Sequence, residues 1–308
     1  MSGLEMRPIG EHDLDAVLQL TNQAHTIDGI PEVLSMEELV DDLTTDNARM
    51  DTDSQLAMVD GDPVGYVHTI YLPSEVRLER CYISGLVHPA HRGAGLGRAL
   101  LGWGVHRAAE QLRSSGSDLP KYIRVDKYDF VESAHRLFAR LGFQPIRYFD
   151  QLLKPLTDLP PVEEATVEGL NLVRWNDERS EEVRRVKNDA FADHWGSTPT
   201  TPNRWQSIVT ASTTRLDLSW IAVNSGDEVV GYCINSRFEA DDVLTGRRDG
   251  WIDNVGTLQT YRRRGIASAL MIRSMHGFVA EGLDHAVLEV DSDSPSGAPR
   301  LYRSLGFE

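Results

Sequence analysis

Cysteine is scarce: the chain has two in 308 residues, so no disulfide framework is available. Cys81 and Cys233 each sit in an apolar, strand-like run with no cysteine or histidine at metal-ligand spacing. They read as buried free thiols, and no metal site is expected. Long apolar runs are also missing. Nothing approaches the roughly 18 to 20 residues that a membrane helix needs, and Met1 to Glu11 shows no charged-then-apolar signal pattern. Positive charge is short as well, 31 Lys and Arg against 47 Asp and Glu, giving a net charge of −16. That excess repels nucleic acid and anionic lipid, so neither partner is expected and a phosphate-bearing ligand would need a local basic pocket. The chain reads as cytoplasmic. What is present, 41% hydrophobic and 25% charged residues, is an ordinary folding composition, and the length suggests two domains.

Self-similarity then sets the architecture. A strand-like run ending at Val87-His88 leads into Arg92-Gly93-Ala94-Gly95-Leu96-Gly97 and a helical run. A second strand-like run ending at Thr257-Leu258 leads into Arg262-Arg263-Arg264-Gly265-Ile266-Ala267 and another. Both copies read Arg-x-x-Gly-x-(Gly/Ala). A further pair follows in the same order, Arg136-Leu137-Phe138-Ala139-Arg140-Leu141-Gly142-Phe143 and Arg300-Leu301-Tyr302-Arg303-Ser304-Leu305-Gly306-Phe307. Two ordered motifs, each present twice, argue for duplication. The segment from Lys154 to Pro161 carries three prolines, which stiffen a tether and prevent a continuous helix.

The boundaries expected are therefore 1–154, a proline-rich linker at 155–168, and 169–308. Each half reads as early helices, a hairpin, a strand into the glycine loop, a helix, a strand and a last helix. The hairpins run from Gln55 to Tyr71, turning at Asp60-Gly61, and from Ile221 to Arg237. The fold class is α/β, a mixed sheet with helices on its faces. Gln144 to Lys154 looks like a strand closing the first half, whereas the second half stops at Glu308. Either that second sheet is completed from elsewhere or the chain is truncated.

A strand opening through such a glycine loop into a helix presents unpaired N–H groups and the positive helix end to an anion. Glycine permits close approach and positive φ, and the arginine adds charge-assisted hydrogen bonds. The expected ligand is a pyrophosphate. These residues resemble the GNAT superfamily of N-acetyltransferases, twice over and across essentially the whole chain. The resemblance implies acetyl-CoA as cofactor, its pyrophosphate on the loops at 92–97 and 262–267. It also implies main-chain amides near Val87, His88, Thr257 and Leu258 along its pantetheine arm.

The same resemblance implies that a tyrosine on the last helix protonates the departing thiolate. Tyr302 holds that place, while the first half has Phe138. A catalytic base is expected on the strand before the loop. Trp251 stands where many relatives carry a glutamate, and Asp253, two residues on, projects the same way. By the period of two, Trp251, Asp253 and Val255 share a face, with Ile252 and Asn254 on the other. The first half has Cys81 and Ile83 at the matching positions, so it is expected to be non-catalytic, with a structural or nonproductive cofactor site. The stretch Asn188 to Gly196 resembles the acceptor-side segment of tandem members whose second half is catalytic. His194 and Trp251 are accordingly the expected substrate contacts. The function expected is transfer of acetyl to a primary amine of a small molecule. A non-catalytic acyl-CoA-binding or scaffolding protein, and a protein or peptide acetyltransferase, stand as alternatives.

Overall fold

The computed structural model describes residues 4–45, 47–194, 196–294 and 297–308. They form two compact units, Met1–Pro145 and Ile146–Glu308.

The first unit opens with β1 (Leu4–Arg7), α1 (Leu14–Asp28), α2 (Met36–Leu43) and a short α3 (Met50–Asp53). Ser35 caps α2, accepting from the Glu38 N–H while Glu38 bonds back to the Ser35 N–H, a reciprocal closure that fixes where the helix starts. β2 (Ser54–Val59) and β3 (Asp62–Leu72) form the expected hairpin, its turn made by Asp60 and Gly61, both at positive φ. Then come β4 (Glu79–Val87), α4 (Leu96–Ser114), β5 (Lys121–Arg124) and α5 (Glu132–Arg140). The sheet order is β1-β2-β3-β4-β5, antiparallel except for the parallel β4/β5 pair. α4 closes one face over Val67, Cys81 and Ile83, and α1 and α2 close the other over Leu56 and Tyr66.

The second unit begins with β6 (Phe149–Pro155), followed by β7 (Leu170–Arg174), α6 (Ser180–Ala190), α7 (Pro202–Thr210), β8 (Trp220–Asn224) and β9 (Val229–Ser236). A short α8 (Asp242–Thr245), β10 (Asp249–Thr257), α9 (Ile266–Ala280), β11 (His285–Asp291) and α10 (Ala298–Ser304) complete it. The order β6-β11-β10-β9-β8-β7 repeats the first sheet and adds one strand.

That added strand corrects the sequence reading. The segment expected to close the first half pairs with β11, running antiparallel from Phe149↔Asp291 to Pro155↔His285. The second sheet is thus completed by a segment from before its own first helix. Alternating hydrophobicity marks a strand without naming its partner, so the pattern alone could not assign it. The segment after β6 also differs from a free tether. Leu156 and Ala165 are buried in the second core, and the carbonyls of Pro160 and Ala165 accept from His276 and Arg273 on α9.

Leu152 of β6 packs against that core. Leu152→Ala is expected to cost about 1–3 kcal/mol. In hydrogen exchange, protection should fall at β11 and β10 while β4 and β5 keep theirs; matched losses at β4 and β5 would contradict the placement of this strand.

Candidate active site

Among the described residues each unit has one parallel strand pair, and each pair is short. β4 meets β5 only from Glu79 to Tyr82, and β10 meets β11 only from Asp249 to Trp251, yet β4 runs on to Val87 and β10 to Thr257. Past the last pair the strands part, leaving main-chain groups of β4 and β10 facing an opening. The His88 N–H donates to Val64 O and the Leu258 N–H to Val230 O, so these two amides belong to the neighbouring strands. By the alternation of antiparallel bonding, Val87 and Thr257 are the members of the two pairs that face the opening.

At its end each strand turns into the glycine loop. Gly93 and Gly95 have φ of 85° and 92°; in the second copy Arg263 and Gly265 take φ of 61° and 80°. A Cβ on Gly93, Gly95 or Gly265 would meet no atom within 4 Å, so open space lies above the first turns of α4 and α9. Left-handed backbone, open space and unpaired helix N–H groups fit a pyrophosphate. Ala94 is exposed, while Leu96 and Ile266 point into the cores, so those two face a ligand only through their backbone. A Cβ on Gly97 would lie 3.1 Å from Leu137 of α5, and Ala267 fills the matching place in the second copy.

The motif arginines also have partners within the protein. Arg92 bonds both carboxylate oxygens of Asp28 at 2.7 and 2.6 Å and donates to Val87 O. Arg262 donates to Ala190 O at 2.6 Å and lies 3.9 Å from Asp193. Both brace the loop against the end of the first helix of their own unit. Arg264 stacks on Tyr261. In the first unit the loop opens onto a cavity of about 610 Å³ that Lys127, Arg136 and Arg140 also line, the local basic pocket that an acidic chain requires for a phosphate ligand.

The chemistry differs between the units. Tyr302 of α10 is buried and meets Phe307 edge-on at 6.2 Å; Phe138 meets Phe143 at the same 6.2 Å. The repeat preserves the ring pair and changes only the hydroxyl. Burial pushes the Tyr302 phenol up to about 12, which keeps it protonated at neutral pH. Trp251 ends the parallel ladder and packs edge-on against Phe238.

Asp253 is the extra residue of a β-bulge: Ile252 pairs with Asn235 and Asn254 with Ile234, leaving Asp253 opposite nothing. The bulge resets the alternation. Asn254 accepts from Tyr232 on the α6 face of the sheet, whereas Val255 packs with Cys233 in the α9 core, so the expected grouping of Val255 with Trp251 and Asp253 does not hold. Ser236 donates to Asp253. Asp253 is an exposed residue, yet protein packs around its carboxyl and the loss of water there pushes it up to about 6, with the Ser236 bond opposing and repulsion from Glu289 adding to it. His194 follows α6, lies tilted against Phe191 with ring centres 5.1 Å apart and is held below the usual imidazole range, chiefly by burial. Trp195 beside it lies outside the described residues. Ser236 and Glu289 escaped the sequence reading because only strand register brings them to Asp253. Away from this region, Asp249, Asp284 and His285 converge at the opposite end of β10 and β11, where Asp249 pairs with Arg247 and His285 with Asp284.

Splayed parallel strands, a glycine loop capping the following helix and a last helix bearing Leu-Gly-Phe define an acyl-CoA transferase fold. Family models agree: residues 180–307 match the acetyltransferase (GNAT) family and residues 53–145 an acetyltransferase (GNAT) domain. The chain belongs to the GNAT family as a tandem acetyltransferase, an enzyme that uses acetyl-CoA. It is similar to the mycothiol acetyltransferase of Streptomyces scabiei, 27% identical over 99% of this chain and 91% of that one. It is 30% identical to that of Frankia alni over 72% of this chain and 66% of the relative. Among solved structures, a GCN5-related N-acetyltransferase from Sphaerobacter thermophilus aligns with a TM-score of 0.75 at 25% identity, covering 100% of this chain and 93% of that one. No helix among the described residues is long and apolar enough to cross a membrane.

An acid whose folded pKa is raised favours the folded state below its unfolded pKa near 3.8, and that advantage is lost as pH rises toward about 6. Asp253→Asn removes the charge, so it is expected to raise the melting temperature at pH 7 to 8. The gain should shrink as pH falls from 6 to 4. A melting difference flat across that window would contradict the raised carboxyl.

Proposed function

We propose that the second unit carries out the transfer, moving acetyl to a primary amine of a small molecule, with Asp253 as base and Tyr302 as acid. Acetyl-CoA supplies the activated acetyl thioester. The loop at Arg262, Arg263, Arg264 and Gly265, through the N-terminus of α9 at Ile266 and Ala267, would hold its pyrophosphate, and the Thr257 main chain its pantetheine arm. An amine enters mostly as an ammonium and must lose a proton before it attacks. A carboxyl near 6 is ionised at neutral pH yet basic enough to accept that proton, directly or through water. Tyr302 holds a proton that a departing thiolate can take. Trp251 and His194 border the acceptor side.

The observation that carries this reading is the contrast within the repeat. Counted from the glycine loop, the second unit has Asp253 and Tyr302 where the first has Ile83 and Phe138; Ile83 is regularly paired with Thr69 and packs into the α4 core, whereas Asp253 is the extra residue of a bulge. The first unit retains its loop and basic cavity, which supports cofactor binding there without turnover. The name shared by the curated relatives supports a small-molecule acceptor.

Thiol release from acetyl-CoA with a panel of primary amines tests the assignment. Tyr302→Phe should lower kcat by about 10²-fold or more while leaving acetyl-CoA affinity within a few-fold. The wild-type rate should fall on the acid side of pH 6. Unchanged turnover in Tyr302→Phe would remove the tyrosine from the mechanism.

A further inference from the structure

A Cβ on Gly97 would fall 3.1 Å from Leu137, so the first turn of α4 lies directly against α5. Arg98 follows Gly97 on one side of this seam. Arg136 and Arg140 flank Leu137 on the other, one helical turn apart. All three arginines are exposed, and all three line the 610 Å³ cavity together with Gly93 and Gly95. Arg136 pairs with Glu132 at 2.7 Å. Among the described residues neither Arg98 nor Arg140 has a hydrogen-bond or ion-pair partner, whereas Arg7, Arg92 and Arg107 of the same unit are held by Asp13, Asp28 and Asp53. The repeat sharpens the contrast. In the second unit Ser268 and Ser304 stand at the places of Arg98 and Arg140, while Arg300 keeps that of Arg136. The extra cations of the second unit, Arg263 and Arg264, belong to the loop itself, and Arg264 is engaged by the Tyr261 ring and Glu168 O.

We propose that Arg98 and Arg140 form a seat for the 3′-phosphate of coenzyme A, so that the first unit selects the 3′-phosphorylated cofactor and the second unit does not. The inference rests on cofactor binding by the first unit and names the group that is recognised there. Besides its diphosphate, coenzyme A carries a phosphomonoester on the ribose that follows. At pH 7 such an ester has a charge of about −1.5 to −2 and three acceptor oxygens. With the diphosphate on the loop at 92–97, the seam that starts at Gly97 is the adjoining wall of the cavity, and two guanidiniums on it match a doubly charged ester in charge and in paired N–H donors. Neither of the two carboxylates that line the cavity is bonded to them: Asp28 is held by Arg92, and burial pushes the Asp126 carboxyl above its ordinary range. A serine at each place, as in the second unit, offers one neutral hydroxyl instead.

Amide NMR of the full chain, labelled with nitrogen-15 glycine, reads the two loops separately: Gly93, Gly95 and Gly97 report on the first unit and Gly265 on the second. Acetyl-CoA and 3′-dephospho-acetyl-CoA are the two probes. At the first loop the dephospho compound should bind about tenfold or more weakly than acetyl-CoA, and at Gly265 the two should agree within about threefold. Arg98→Ala and Arg140→Ala should each weaken acetyl-CoA at Gly95 by about tenfold and leave the dephospho compound nearly unchanged there, with Arg98→Lys and Arg140→Lys retaining part of the preference. Equal affinities for the two probes at Gly95 in the wild type, or an equal loss for both in Arg98→Ala and Arg140→Ala, would overturn the seat. The underlying reading fails differently. No shift at Gly93, Gly95 and Gly97 with either probe removes cofactor binding by the first unit and the seat with it, whereas saturating shifts with equal affinities remove the seat alone.

Discussion

The parallel pairing of β10 with β11 ends at Trp251 and Val287, and the continuation of both strands past that point makes the rest of the second unit possible. A strand inside a sheet has both rows of backbone groups satisfied; where two strands part, one row faces outward at a fixed spacing and with no flexibility. At the paired end of the two strands α9 packs its Phe278 ring so close to Gly250 that a Cβ there would fall 2.5 Å from a ring atom. The opening is braced at the loop by Arg262 on Ala190 O. Backbone held this firmly can line an extended thioester arm, and the helix end beyond it can hold a diphosphate, before any side chain takes part.

The bulge at Asp253 is the second layer built on that frame. Asp253 is an extra residue just past the last parallel pair, with protein packed around its carboxyl and Glu289 near it. Both effects raise its basicity. A regular strand would have left Asn254 on the other face, away from its bond with Tyr232, and the α6 side of the site without that anchor.

Much of this was legible in the sequence, for physical reasons that can be stated. The loops at Arg92 and Arg262 and the two Leu-Gly-Phe elements fall on backbone that needs positive φ or close helix packing, and such constraints restrict residue type strongly. The Phe138 and Tyr302 difference was visible because the Arg-Leu before it and the Leu-Gly-Phe after it are the same in both copies. What remained hidden depends on partners distant in sequence. Phe149–Pro155 reads as a strand from its pattern, but its union with β11 is a tertiary choice. The bulge leaves no signature in Trp251-Ile252-Asp253-Asn254-Val255, and so the face assigned to Val255 failed. Nor could the sequence show that Arg92 is bonded to Asp28 and Arg262 to Ala190 O, partners far away in the chain.

The central claim is that one frame, used twice, works in the second unit only. Single-turnover acetyl transfer by Arg262→Ala and Arg92→Ala, each paired with calorimetric titration of acetyl-CoA, tests it most directly. The account predicts that Arg262→Ala loses transfer and one binding event, while Arg92→Ala alters only binding in the first unit and keeps the wild-type rate. An equal collapse of transfer in both variants would contradict it.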